Sequence, residues 1–288
     1  MTNTLEILIL SDKSISEFDD EYLFMNKVQS ISQFTINGEW FVSLLFDKKD
    51  RLAIKEIINK LFGSSQNFQI KNVENRNWVL ESQKSLKPIS FQNIYVHNNS
   101  YPKNKYKKIN ICINEGLAFG TGHHETTSGC VNALIEIRKT TNIRSFLDIG
   151  TGSGLLTIVA NKLWKCRGIG VDNDSKSIEV SRYNFDENNC KNEVCARNLD
   201  ITKESYKLNG AAKFDLIMVN ILANVVEAVK CDLAKLVSNK GILILSGFTN
   251  KQKIKIKIIY QNLGFILIRE HVIGNWVTLV LKARSVQL

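Results

Sequence analysis

No two of the six cysteines form a Cys-x-x-Cys pair: Cys112, Cys130, Cys166, Cys190, Cys195 and Cys231 are scattered along the chain. That spacing argues against a zinc site and against a disulfide framework, and it fits reduced thiols in a cytosol. No run approaches the roughly 20 apolar residues that span a bilayer, so no membrane helix and no membrane partner are expected. The amino terminus, MTNTLEILILSDKS, has neither a basic leader nor a cleavage site, so no signal peptide is expected and a cytoplasmic location is. Internal repeats are lacking. The chain has two prolines, Pro88 and Pro102. Of its four histidines, His123 and His124 are adjacent, which turns their side chains apart, and no carboxylate-rich motif accompanies them, so no metal site is expected.

What the chain does have is a 44% apolar fraction over 288 residues, enough for a sizeable core and for one large domain or a medium domain with a small one. Its formal charge of +10 has two readings, a nucleic-acid partner or a Lys-, Asn- and Ile-rich composition. The charge is uneven. Residues 1–72 hold eight Lys and Arg against ten Asp and Glu, and DKSISEFDDE (12–21) concentrates five acids. The net positive charge therefore lies in the remainder.

Residues 1–72 read as a small α+β domain. LEILIL is a strand, and SISEFDDEYLFMN spaces Ile15, Phe18, Tyr22 and Met25 as on a helix. SISQFTI and WFVSLLF flank Asn-Gly and predict a hairpin. RLAIKEIINKLF is an amphipathic helix ending at Gly63, and NFQIKNV is a last strand. The order β-α-β-β-α-β predicts a ferredoxin-like sandwich. Residues 73–108, which hold both prolines, read as a linker containing the strand-like SFQNIYVH and the basic loop NNSYPKNKYKK.

From 109 to 288 strands and helices alternate, which predicts an α/β, Rossmann-like seven-stranded sheet. Its strands are 146–149, RGIGVD, EVCAR, FDLIMVNI, GILILSGF, GFILIREHVI and WVTLVLKA, the last two forming a hairpin. KQKIKIKI (251–258) alternates with period two like a strand, but the topology requires a helix there.

Two glycine-rich loops carry the chemistry. NEGLAFGTGHHETT (114–127) and LDIGTGSG (147–154) are not the phosphate loops of kinases or GTPases. In FLDIGTGSGLLTIVA a strand runs into Gly150, Gly152 and Gly154 and then a helix, so the backbone can approach a ligand closely. Asp172, at the tip of the next strand, can accept hydrogen bonds from both hydroxyls of a ribose. The spacing is tighter than that of dinucleotide folds, and a nucleoside without a pyrophosphate fits it. S-adenosyl-L-methionine is such a ligand, and the layout resembles the seven-stranded methyltransferases. Thr127, in a threonine pair at a helix start, can cap that helix or bond the methionine part of the cofactor. Asn220 ends the fourth strand of the sheet, on the edge where such folds bind ligands.

GLAFGTGHHETT, DIGTGSGLLTIVA, the Asp172 strand end and NILA (220–223) together resemble the family that methylates large-subunit ribosomal protein 11 (PrmA). The resemblance extends over nearly the whole chain. It implies cofactor contacts from Thr127, Gly150, Gly152, Asp172 and Asn220. It also implies methyl transfer from S-adenosyl-L-methionine to lysine or N-terminal amines of a ribosomal protein. Asn220, with the backbone carbonyl of Ile221, then aligns the acceptor nitrogen as the catalytic pair, and His124 shapes the loop over the cofactor. Residues 1–72 become the substrate-recognition domain, 73–108 the linker and 109–288 the catalytic domain, in a monomer. The chain departs from the family pattern at His123, at Glu125, where proline is usual, and at Asn114-Glu-Gly, where Asp-Pro-Gly is usual. A second reading is an RNA methyltransferase acting on ribosomal RNA, motivated by the lysine groups at 103–108 and 251–257. A third is a binding protein that has lost catalysis, against which the intact Asn220 and Asp172 argue.

Overall fold

The computed structural model describes residues 4–11, 28, 30–36, 39–47, 51–63, 68–72, 87–114, 124–208 and 213–284. The chain divides into two compact units, Met1–Trp78 and Val79–Leu288.

In the first unit, β1 (Thr4–Leu10), β2 (Ser30–Ile36), β3 (Glu39–Asp47) and β4 (Phe68–Asn72) form an antiparallel sheet in the order β2-β3-β1-β4. Alternation sets which face is buried: Leu5, Ile7 and Ile9 of β1 and Val42, Leu44 and Phe46 of β3 all turn inward. A slip of one residue would put Glu6 in their place. The helix α1 (Arg51–Phe62) covers that face with Ile54, Ile57, Ile58 and Phe62, spaced along one helical stripe. It ends at Gly63, whose φ of +93° lets its N–H reach the Asn59 carbonyl. Ile36 pairs with Glu39, as the Asn-Gly hairpin requires. The helix expected over 14–26 lies outside the described residues, as does the acidic run 12–21.

The second unit begins earlier than its sequence pattern suggests. β5 (Ile89–Phe91), β6 (Ile94–His97) and β7 (Ile109–Cys112) form a small three-stranded sheet. Its Phe91, Ile94, Val96 and Ile111 lie in one core cluster with Phe146, Leu155 and Ile158. Phe91, Ile94 and Val96, within the stretch read as a linker, are therefore part of this unit's core. A chain starting after residue 97 would lose three of those side chains, each worth roughly 1.5–3 kcal/mol. The loop between β6 and β7 is tied by side-chain amides: Asn104 accepts from the Tyr106 N–H, and Asn110 accepts from the Asn104 N–H.

The main sheet follows. Its elements are α2 (Glu125–Arg138), β8 (Ser145–Ile149), α3 (Leu155–Trp164), β9 (Arg167–Asp172), α4 (Ser175–Glu187), β10 (Val194–Asn198), a short turn of helix α5 (Ile201–Glu204) and β11 (Phe214–Asn220). After these come α6 (Ala223–Ala228), α7 (Lys230–Leu236), β12 (Val237–Thr249), α8 (Asn250–Asn262), β13 (Phe265–Ile273) and β14 (Trp276–Ala283). The seven strands run in the order β10-β9-β8-β11-β12-β14-β13. The strand order reverses beside β8, whose neighbours are β9 and β11, both parallel to it. β14 lies antiparallel between β12 and β13. One core cluster packs α2 and α3 on one face, and a second packs α6, α7 and α8 on the other.

Two local outcomes differ from, or decide, the sequence pattern. The helix expected over 223–237 is broken at Val229 into α6 and α7. The period-two stretch KQKIKIKI is helical. Thr249 and Gln252 form a capping box, and only Ile256 and Tyr260, four residues apart, are buried. Ile254 and Ile258, which a strand would have placed on the same side as Ile256, stand 65% and 50% exposed.

Candidate active site

The turn after β8 is closely packed. Gly150, Gly152 and Gly154 take φ values of +74°, +53° and +83°, a region that glycine enters without strain. Steric room matters as much: a Cβ on Gly150 would lie 2.3 Å from the Ile221 side chain. The N–H groups of Gly150 and Thr151 both donate to the Val171 carbonyl of β9, at 2.9 and 3.0 Å.

Beneath the turn lies Asp148, fully buried. Its Oδ2 accepts from the Thr151 hydroxyl at 2.9 Å and the Thr157 hydroxyl at 2.8 Å. Burial pushes its carboxyl up to about 6; the two hydroxyls oppose that shift, and the charge of Asp172 adds to it. Asp172 closes the turn from the next strand. Its Oδ2 accepts from the Gly152 N–H at 2.9 Å and its Oδ1 from the Asp174 N–H at 3.0 Å. A carboxylate has about four acceptor positions, so capacity remains for ligand hydroxyls.

A cavity of about 530 Å³ opens at the carboxyl ends of β8, β9, β10 and β11, at the point where the strand order reverses. That volume lies within the usual range for small-molecule sites, and that position is where open α/β sheets bind ligands. Thr127, Gly150, Gly152, Asp172, Asn220 and Ile221 all line this one cavity. Asn220 and Thr127, far apart in sequence, meet: the Asn220 Nδ2 donates to the Thr127 hydroxyl at 3.3 Å. Ile221 reaches two glycines, its side chain over Gly150 and its carbonyl against Gly247, where a Cβ would lie 2.0 Å from the oxygen.

His124 has another task. It is the N-cap of α2, where its Nδ1 accepts from the Thr126 N–H at 3.3 Å. Its ring also packs edge-on against Trp276 at 4.9 Å. It does not line the cavity. His123 and the run from Glu115 to Gly122 lie outside the described residues, as does Trp78. Residues that sequence reasoning passed over also line the cavity, among them Asp200 and Thr202. Asp200 caps α5 through the Thr202 N–H at 3.0 Å. The available signal was an acid two residues before a threonine at the end of the third strand of the sheet.

The strand order with its antiparallel seventh strand, the glycine turn at the reversal point and the acid at the end of β9 define a class I S-adenosylmethionine-dependent methyltransferase. Within that class the chain belongs to the ribosomal protein L11 methyltransferase (PrmA) family, whose model matches residues 5–284. It is 34% identical over 290 residues to the ribosomal protein L11 methyltransferase of Campylobacter lari, covering 99% of both chains. To the protein of the same name from a Nitratiruptor species it is 33% identical over 228 residues, 77% of this chain and 75% of that one. The crystal structure of a ribosomal protein L11 methylase from Lactobacillus delbrueckii subsp. bulgaricus shares the fold, with a TM-score of 0.61 at 24% identity. The match covers 69% of this chain and 100% of that chain.

Two predictions follow from the charges. Asp172→Ala removes an anion that can hold ribose hydroxyls and that also fixes the Gly152 amide. Hydrogen bonds to charged groups contribute roughly 1.5–3 kcal/mol each. Calorimetric titration is therefore expected to show S-adenosylhomocysteine binding weakened about tenfold or more. An unchanged Kd would remove Asp172 from the site.

Asp148 sets a pH dependence. Its folded carboxyl titrates near 6 against an ordinary value of 3.8, so between those values the folded chain holds a proton that the unfolded chain has released. This group's contribution to stability therefore falls as pH rises through that window. Asp148→Asn, which keeps an acceptor for Thr151 and Thr157, is expected to gain stability relative to the parent on going from about pH 4 to about pH 7. Urea denaturation of both proteins measures it, and a pH-independent difference would exclude the titration.

Proposed function

We propose that this chain transfers methyl groups from S-adenosyl-L-methionine to lysine and/or N-terminal amino groups of large-subunit ribosomal protein 11. The observation that carries this is the meeting of Thr127, Gly150, Asp172 and Asn220 around one cavity in a member of that family. The residues present suit the cofactor. Gly150 and Gly152 expose backbone at positive φ, and the Asp172 carboxylate has acceptor capacity for the two ribose hydroxyls.

The bound cofactor supplies an activated methyl on a sulfonium with a good leaving group. Little acid–base machinery is then required of the protein, and alignment carries most of the acceleration. The acceptor amine must present its lone pair, and an α-amine near 8 sheds its proton more readily than a lysine near 10.4. With its Nδ2 donating to Thr127, Asn220 keeps Oδ1 as the acceptor for an amine N–H. The Ile221 carbonyl, given space by Gly247, is the second acceptor. Together they turn the nitrogen towards the methyl. Leu222, 68% exposed at the cavity, offers an apolar edge to the incoming side chain.

We read the first unit as a ferredoxin-like domain that holds the substrate. The strand order β2-β3-β1-β4 supports the topology. The acidic excess of residues 1–72 supports attraction to a lysine-rich protein surface. No described helix is long and apolar enough to cross a membrane, and we place the protein, as a monomer, in the cytoplasm with its substrate. The ribosomal RNA alternative loses part of its basis: of the lysines on α8, Lys253 is paired with Glu270 and Lys255 with Glu227, each at 2.7 Å.

Labelled S-adenosylmethionine supplied with either purified ribosomal protein 11 or stripped ribosomal RNA tests the reading. Label is expected in the protein, and transfer to RNA alone would overturn it. In the same assay Asn220→Ala is expected to lower kcat about tenfold or more while weakening cofactor binding less. Full turnover by that variant would take Asn220 out of the mechanism.

A further inference from the structure

Asn184 on α4 and Asn188 at its C-cap pair with the chain that leads into the GLAFGTG run. Asn188 takes Cys112 from both sides: its Oδ1 accepts from the Cys112 N–H at 2.9 Å and its Nδ2 donates to the Cys112 carbonyl at 2.6 Å. One turn earlier on α4, the Asn184 Oδ1 accepts from the Asn114 N–H at 3.0 Å. The spacing makes this possible. Four helical residues advance about 6 Å and two extended residues about 6.6 Å, so two side-chain amides on one helix face can stand opposite alternate residues of a strand. α4 thus serves as a neighbouring strand for the end of β7 and the two residues after it.

The Asn188 Nδ2 also donates to the Asn184 carbonyl at 2.7 Å, but of the two side chains it is that of Asn184 that reaches the turn. The Asn184 Nδ2 donates, at 2.8 Å, to the carbonyl of Ser153, inside the glycine turn. The side chain is fully buried and does not line the cavity. α4 is close to the turn here: a Cβ on Gly154 would lie 2.7 Å from the Phe185 ring and 3.1 Å from the Ser181 Cβ. Asn184 therefore joins two pieces of backbone that are remote in sequence. One is the turn that forms the cavity wall. The other is Asn114, the last described residue before the signature run.

We propose that Asn184 is a positioning residue for methyl transfer. It fixes the Ser153 end of the glycine turn against Asn114, so that Gly150 and Gly152 face the ligand already in place. Preorganisation of this kind is felt in ligand affinity, because an untied turn must be ordered at the moment of binding. The inference rests on the cavity being the S-adenosylmethionine site.

Asn188 provides the control, since it contributes the same kind of backbone pairing without touching the turn. The experiment titrates the full chain with S-adenosylhomocysteine and measures KM for S-adenosylmethionine, kcat and Tm for the parent, Asn184→Ala, Asn184→Asp and Asn188→Ala. Asn184→Asp keeps the acceptor for the Asn114 N–H but sets a carboxylate oxygen against the Ser153 carbonyl. Both Asn184 variants are expected to raise the Kd and KM about tenfold with kcat within about threefold of the parent, whereas Asn188→Ala lowers Tm and leaves Kd within about twofold. Equal shifts in Kd for Asn184→Ala and Asn188→Ala would overturn the proposal. So would an unchanged Kd in the Asn184 variants, or the failure of both to fold. A parent protein that does not bind S-adenosylhomocysteine would instead overturn the cofactor reading on which the proposal stands.

Discussion

Away from the cavity the backbone between Ile149 and Leu155 is packed closely by its neighbours, and the site depends on that crowding. β9 holds the turn through the Val171 carbonyl, Asp172 holds the Gly152 amide, and Asp148 holds Thr151 from below. From the side α4 reaches Ser153 through Asn184. A side chain at Gly150 would displace Ile221, and one at Gly154 would displace Phe185. Glycine here is not chosen for flexibility. These bonds and contacts fix the turn in one conformation, and the missing Cβ atoms let the surrounding elements come close enough to do so.

Charge is distributed around the turn by environment. Asp148 is fully buried, and that desolvation pushes its carboxyl up to about 6. Asp172, partly exposed at the strand end, has backbone N–H groups on both oxygens. One carboxyl serves the packing of the turn and the other lines the cavity. Their roles follow from where the two strands place them, since the residue type is the same.

Asn220 and Thr127 show how the fold assembles one edge of the cavity from distant parts. β11 brings the asparagine to the carboxyl end of the sheet, and the start of α2 brings the threonine to meet it. The Asn220 Nδ2 donates to the Thr127 hydroxyl, which leaves Oδ1 as the acceptor end of that amide. His124, one turn earlier, keeps α2 in place by capping it and by resting on Trp276.

Local pattern determined a good deal on its own. Alternation placed the inward faces of β1 and β3, Asn-Gly marked the β2–β3 hairpin, and the glycine turn followed by the Asp172 strand end named the ligand class. These features are legible because each is set by neighbours a few residues away. Tertiary structure decided the rest. KQKIKIKI has a strand's period and becomes a helix, because its cap and the burial of Ile256 and Tyr260 under the sheet outweigh local alternation. The stretch 73–108 reads as a linker because short, polar-flanked strands carry little periodic signal, yet its Phe91, Ile94 and Val96 belong to the core of the second unit. Asp200 carried only a capping signal before Thr202, and Asn184 carried no motif. Their positions depend on strand order and on helix packing, which bring together backbone separated by up to about 70 residues, and no local pattern records contacts over that distance.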